Sequence, residues 1–341
     1  MRTITYEDVL KKEDKYIMVD VRTSKEHSHS TIPGALNIPL LQDDDHRMVG
    51  TIYKQFGRKE ATKKALEVFG PNLLSIYEQF ESLVVRNKEI VVFCARGGMR
   101  STTLVSFLQT LAIPVLKLDF GYKGYRNYVM THLESLVKGK SYITLYGNTG
   151  VGKTKILQSL ESRGYDVLDL ELCANHRGSL LGHIGLGSQM SQKMFESLVF
   201  DNLRTLGNFI IVEGESKRIG KVILPNYLYD AIHQGYKVVL STTLENRVAN
   251  IEKNYLANVS SNEEVIEGLN SLKKYIPLEI VNGYIDEIQN NNFKLVIESL
   301  IINYYDKKYK ISNNQDGKII NFTTTNEAVL WVAKYVDSIY I

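Results

Sequence analysis

A chain of 341 residues with 44% hydrophobic and 23% charged residues carries apolar material for about two cores, and is neither fibrous nor disordered in composition. A formal net charge of only +3 provides no polycationic surface overall, so a nucleic-acid partner has to meet a local basic patch. Two cysteines far apart, Cys94 and Cys173, exclude a disulfide framework and a zinc-ligand cluster.

The opening segment MRTITYEDVLKKEDK lacks the apolar core of a signal peptide, and no run of eighteen apolar residues follows it. The cytoplasm is therefore the expected location, with no membrane partner. YIMVDV and IVVFCA, short and β-branched, read as buried parallel strands. Between them, His46 to Val85 has helical periodicity, broken at Gly57 and at Gly70-Pro71. VKGKS, around Gly139, reads as a linker that divides the chain into 1–138 and 139–341. A βαβ pattern then begins: SYITLYG as a strand, KTKILQSLESRG as a helix closed by Gly164, and YDVLDLE as a second strand. FIIVEGES and YKVVLSTT are further strands, and the region after Glu245 is mostly helical, with polar breaks at NVSSNEE and SNNQDGK. The expected fold class is α/β: two parallel-sheet domains, the second with a helical C-terminal region.

Gly147, Asn148, Thr149, Gly150, Val151, Gly152, Lys153 and Thr154 fit the complete phosphate-loop pattern, after a predicted strand and before a predicted helix. Glycines there let consecutive N–H groups converge on phosphate oxygens, and the helix N-terminus adds partial positive charge. Lys153 reaches a terminal phosphate, and the Thr154 hydroxyl is the ligand through which Mg²⁺ would enter; no other metal ligand is assigned. Glu213, closing the strand FIIVE, is either a metal or acid/base group or an acidic turn with no such role. The motif identifies bound phosphate without saying that the ligand is ATP.

Cys94-Ala-Arg-Gly-Gly-Met-Arg100-Ser101 follows the strand IVVF and precedes the helical run TTLVSFLQTL. A cysteine at the mouth of a parallel sheet, below a helix N-terminus and beside arginines, has its thiolate favoured and an anion held over it, which points to a nucleophile. With Asp20-Val-Arg22 and Thr31-Ile-Pro-Gly-Ala-Leu-Asn-Ile-Pro39 this half resembles the rhodanese fold. Asp20 and Arg22 read as structural partners, since charged groups near a core pair. The CX5R loop is a residue longer than in many rhodanese sulfurtransferases, room for a phosphate-sized anion, and it is shared with cysteine-dependent phosphatases.

A rhodanese-like domain followed by a P-loop domain resembles the bacterial tRNA 2-selenouridine synthases. Further runs carry that resemblance over roughly residues 5 to 250: VGTIYKQFGR, FCARGGMRS, DLELCANHRGS, SQMSQKMFE and ESKRIG. Three positions depart from the family pattern, at Ala95, at Leu172-Cys173 and at Gly214 between Glu213 and Glu215; Cys173 itself reads as a small core residue.

The resemblance implies a two-step change of the wobble uridine in tRNA. A geranyl group from geranyl diphosphate goes onto the 2-thio sulfur, and selenium from selenophosphate then displaces the geranylthiol. On this expectation the P-loop, Gly147 to Thr154, holds the diphosphate. Cys94 attacks or holds the selenium of selenophosphate, whose phosphate sits against Arg96, Gly97, Gly98, Arg100 and Ser101. Arg177, in the polar loop Asn175 to Ser179, is an anion contact or simply part of a structural loop. No tightly bound cofactor is expected. The implied partners are a tRNA carrying 2-thiouridine and a selenophosphate-supplying enzyme. Phe120 to Tyr128 interleaves aromatics with cations, as a tRNA surface or a packing stripe would, and so does Tyr304 to Lys310. The competing readings are a P-loop NTPase or kinase fused to a sulfur-carrying rhodanese domain, a phosphatase, and a non-catalytic RNA-binding protein.

Overall fold

Strands β1 (Thr3–Ile4) and β2 (Tyr16–Asp20) open the computed structural model, which describes residues 1–256, 259, 261–308 and 317–339. The backbone divides into two compact units, Met1–Leu133 and Glu134–Ile341. In the first, helix α1 (Tyr6–Leu10) joins β1 to β2, and α2 (Ser24–His29) leads to β3 (Leu36–Asn37). Helices α3 (Asp43–Phe56), α4 (Arg58–Phe69) and α5 (Leu73–Ser82) fill the stretch read as helical. They break where expected, at Gly57, whose φ of 84° ends α3, and at a single 3₁₀ turn over Gly70–Asn72. Strand β4 (Glu89–Phe93), α6 (Met99–Thr110), β5 (Val115–Leu118) and α7 (Gly121–Lys138) follow.

The five strands form one parallel sheet in the order β1-β5-β4-β2-β3. Val91, Val92 and Phe93 of β4 are fully buried, the continuous apolar run that a sheet covered on both faces demands. The predicted linker VKGKS is shorter than read. Val137 and Lys138 belong to α7, the Gly139 N–H still donates to Ser135 O, and the next strand starts at Ser141. The cause is burial: Val137 is fully enclosed, and Lys140 is tied to Leu206 O at 2.6 Å.

The second unit contains β6 (Ser141–Gly147), α8 (Lys153–Glu161), β7 (Val167–Leu168), α9 (Leu170–Ala174), α10 (Gln192–Thr205) and β8 (Phe209–Glu213). A small antiparallel hairpin, β9 (Arg218–Ile219) and β10 (Val222–Ile223), precedes α11 (Asn226–Gln234) and β11 (Tyr236–Ser241). Then come α12 (Leu244–Leu256), α13 (Asn262–Asn270), α14 (Leu278–Gln289), α15 (Phe293–Leu300), α16 (Asp306–Lys308), β12 (Lys318–Asn321) and α17 (Thr325–Ile339). A parallel sheet in the order β12-β11-β6-β8-β7 carries them.

Two expectations differ here. YDVLDLE pairs only at Val167–Leu168, because the Asp169 carboxylate accepts the Leu172 N–H at 2.7 Å and caps a helix instead. Within the helical tail, KIIN is an edge strand beside β11. Asn258 and Ser260 of NVSSNEE, residues 312–316 of SNNQDGK, and Tyr309 and Lys310 of the second aromatic cluster lie outside the described residues. Among the described residues no helix is long and apolar enough to cross a membrane.

Candidate functional site

Each unit carries a loop at the carboxyl end of a central strand, where ligands of parallel α/β sheets bind. In the first, Cys94 directly follows β4 and is 3% exposed, with Sγ 3.2 Å from the Ser101 hydroxyl. Burial raises the thiol pKa, but the Ser101 hydroxyl and N–H, the Arg100 charge and the Arg96 N–H together hold it below its ordinary value. The loop is clamped from behind: the Cys94 and Ala95 carbonyls accept the Tyr122 and Lys123 N–H groups, and Lys117 reaches Gly97 O at 3.1 Å. Gly121 has to be glycine, since its φ is +55° and a Cβ there would overlap the Cys94 carbonyl.

The two arginines differ. Arg96 is exposed and its side chain has no partner among the described residues. Arg100 is already bound by Glu26, Nη1 to Oε2 at 2.6 Å and Nη2 to Oε1 at 3.3 Å. Gly97 and Gly98 form the turn between them, Gly97 at φ +64°. Asp20 and Arg22 are a buried pair at 2.6 Å that also holds Thr31 and Ser30, so they tie strand ends together.

In the second unit Gly147 to Thr154 line a cavity of about 440 Å³. Donors from behind occupy the loop carbonyls: Lys153 to Gly147 O, Arg247 to Thr149 O and Asn250 to Gly150 O, at 3.2, 2.9 and 3.0 Å. Gly150 and Gly152, at φ +83° and +94°, turn the loop back onto α8. The acids are arranged differently from the sequence reading. Glu213 does not line the cavity; it is 1% exposed and accepts the Glu171 N–H at 2.7 Å, while its other oxygen has no partner among the described residues. Burial, then Asp169, Glu171 and Glu215, raises its pKa well above the usual carboxylate range. The acid that meets Thr154 is Glu171, whose Oε2 accepts the hydroxyl at 3.0 Å. Burial and Glu215 push Glu171 up to about 8, against the pull of Lys153.

Glu171, Glu215, Asn250 and Tyr255 therefore belong to this cavity and escaped the sequence reading. The first two had a signal, because DLEL and ESKRIG contain them, whereas Asn250 and Tyr255 sit on an ordinary amphipathic helix. Arg177 lines the cavity, yet its guanidinium donates to Ile184 O and Asn254 O and lies 4.6 Å over the Tyr255 ring. The runs that carried the resemblance brace one another. Gln189 bonds Ile219 O and the Lys221 N–H, and Gln192 bonds Ile223 O and N–H, so SQMSQKMFE holds the β9-β10 hairpin. Beside them His176 is buried, its Nδ1 unpartnered among the described residues, and burial pushes its pKa down to about 4.

The stretch Phe120 to Tyr128 is mostly packing. Tyr125 is fully buried against Tyr6, and Tyr122 is buried under Arg22, leaving Phe120 as its exposed aromatic. Cys173 is buried on α9, and burial raises its thiol pKa.

A cysteine anion loop after β4 and a phosphate loop after β6 define a rhodanese-like unit joined to a P-loop unit. Family profiles agree: a rhodanese-like domain matches residues 5–128, and a tRNA 2-selenouridine synthase AAA domain matches residues 140–283. The chain belongs to the tRNA 2-selenouridine synthase family. A protein of that name from Hydrogenovibrio crunogenus is 32% identical over 261 residues, 73% of this chain and 71% of the relative. One from Nitrosomonas europaea is 31% identical over 70% of this chain and 63% of the relative. A third, from Pseudomonas fluorescens, is 29% identical over 92% of this chain and 93% of its own length, so the likeness runs past residue 250 into the helical tail.

Proposed function

We propose that this chain modifies the wobble uridine of tRNA, exchanging the sulfur of 2-thiouridine for selenium through an S-geranyl intermediate. The observation that carries this reading is the phosphate-loop cavity rimmed by two adjoining family-specific runs, Arg177 to Ser179 and Gly214 to Ser216. A generic nucleotide hydrolase has no need of those runs.

In the first step the 2-thio sulfur attacks the allylic carbon of geranyl diphosphate, the carbon–oxygen bond breaks, diphosphate leaves with the electron pair, and the uridine N3 proton is released to solvent. Lys153 and the loop N–H groups meet the charge that develops on the diphosphate. Thr154 and Glu171 supply two hard oxygen donors of the kind Mg²⁺ accepts when phosphate and water complete its shell, although no group of three acidic, His or Cys ligands exists among the described residues. Mg²⁺ bound there would neutralise diphosphate charge. Alkylation turns the sulfur into a thioether, and C2 then loses geranylthiol where it would not have lost an anionic sulfur. In the second step selenophosphate occupies the loop Arg96 to Ser101, its selenium facing Cys94 and its phosphate facing the loop N–H groups and arginines; selenium bonds to C2, geranylthiol leaves with a proton, and water takes the phosphoryl group as the selenium–phosphorus bond breaks, releasing phosphate.

Mass spectrometry of nucleosides from 2-thiouridine tRNA incubated with the protein, geranyl diphosphate and selenophosphate tests this. S-geranyl-2-thiouridine followed by 2-selenouridine is the expected result. Unchanged tRNA together with rapid ATP turnover would replace the reading by the kinase alternative.

A further inference from the structure

A second cavity adjoins the phosphate-loop cavity, and three residues, Thr149, Ile251 and Tyr255, line both. Its remaining walls come from α13, α14, α15 and the loop after α9, among them Leu269, Ile288, Phe293 and Val296. The junction is close: a Cβ on Gly150 of the phosphate loop would lie 2.9 Å from Ile251 Cδ1, so the loop backbone rests on the wall of the apolar space. Tyr255 is fixed between the two, its hydroxyl 2.9 Å from Ser179 Oγ and its ring under Arg177.

We propose that this apolar cavity is the site for the hydrocarbon chain of a diphosphate ester whose diphosphate lies on Gly147 to Thr154. The proposal rests on the reading of the phosphate loop as a prenyl diphosphate site, and adds where the chain goes and what limits its length. A nucleobase does not suit the space. Its ring nitrogens and amino group would be buried mostly against Leu, Ile, Val and Phe side chains, with Thr149, Tyr255 and Tyr305 as the hydroxyl-bearing residues of the wall and the Tyr255 hydroxyl already bonded to Ser179, which opposes binding. An aliphatic or allylic chain has no such requirement and gains from every methylene removed from water. Interiors are otherwise close-packed, so an apolar space opening beside a phosphate loop is a feature to be accounted for. Val296 on α15, 2% exposed, lies in the wall, so its size sets part of the room available to the chain.

The test compares binding of inorganic diphosphate, dimethylallyl, geranyl and farnesyl diphosphates to the full chain and to two variants. Val296→Phe fills the cavity and is expected to weaken geranyl diphosphate on the order of a hundredfold, leaving inorganic diphosphate unchanged. Val296→Ala enlarges it and is expected to move the preference in binding and transfer toward farnesyl diphosphate. If Val296→Phe unfolds, as Trp331 fluorescence would report, Val296→Ala decides alone. Equal affinity of the wild type for inorganic and geranyl diphosphates overturns the chain site, as does unchanged chain preference in Val296→Ala; geranyl transfer persisting in either case leaves the phosphate-loop reading intact. A wild type that binds ATP, and neither binds nor transfers any prenyl diphosphate, overturns both.

Discussion

Replacing Glu171 by glutamine removes the acid that meets Thr154 while keeping an oxygen to accept its hydroxyl. Burial first, and then Glu215, pushes the Glu171 carboxyl from 4.5 up to about 8. Between those two values the folded chain holds a proton that the unfolded chain has released, so stability falls as pH rises through the window. Each pH unit inside it costs about 1.4 kcal/mol. From about pH 5.5 to about pH 8.5 the loss is about 3 kcal/mol, and the partial exposure of the side chain reduces it to about 2 kcal/mol. With a urea slope of about 3 kcal/mol per molar for a unit of this size, Glu171 alone lowers the wild-type midpoint by roughly 0.7 M across that range. Glu171→Gln should lose that share of the drop, while the buried Glu213 keeps its own, and be the more stable protein at the alkaline end. The assay is specific, because the chain's one tryptophan, Trp331, packs on the core of the second unit and reports that unit's unfolding. Measurements are made in chelator without phosphate ligands. Parallel pH profiles for wild type and variant would refute the assignment of a proton to Glu171.

Three further outcomes follow from the geometry. Alkylation of Cys94 by iodoacetamide should reach half its maximal rate below the pH of an ordinary cysteine thiol, and Ser101→Ala should move that midpoint upward; peptide mass spectrometry separates it from Cys173, whose thiol pKa is raised instead. Asp20→Ala leaves Arg22, 4% exposed, without its carboxylate and should cost about 3–5 kcal/mol, read from thermal unfolding by circular dichroism. Lys153→Ala should stop S-geranylation but still accept supplied geranylated tRNA, whereas Cys94→Ser should accumulate the geranylated nucleoside; loss of both steps in either variant would contradict the division of labour between the two loops.

The parallel sheets were legible because buried strands such as IVVF and FIIV are short, β-branched runs bounded by turns, a pattern helices seldom produce. Both candidate loops were legible because phosphate-loop and rhodanese-type cysteine-loop patterns demand particular residues at fixed spacing. Asp169 escaped because a capping aspartate and a strand-end aspartate look identical until the next N–H groups are placed. Glu213 drew attention as the acid closing a strand, but which of three neighbouring acids faces the cavity depends on where α9 begins, a matter of tertiary position. The apolar cavity had no signature at all, since Leu269 or Val296 lining a space and the same residues filling a core occupy the same helical register.

The pairing of Arg100 with Glu26 has a consequence for how the cysteine loop discriminates among anions. On the proposed reading, an arriving dianion would meet a guanidinium that is already neutralised, so it would bind by exchange and have to outcompete a carboxylate tethered in place. The displaced Glu26 is not cast into solvent without support, because its Oε2 also accepts the Thr23 N–H at 3.1 Å as part of the cap of α2. Chloride, a single sphere with no second oxygen to set against two parallel N–H donors, would be a poor competitor for the same arrangement. If the loop takes selenophosphate as proposed, it would do so as an occupied seat, surrendered to a visitor with more oxygen and more charge than the one already sitting there.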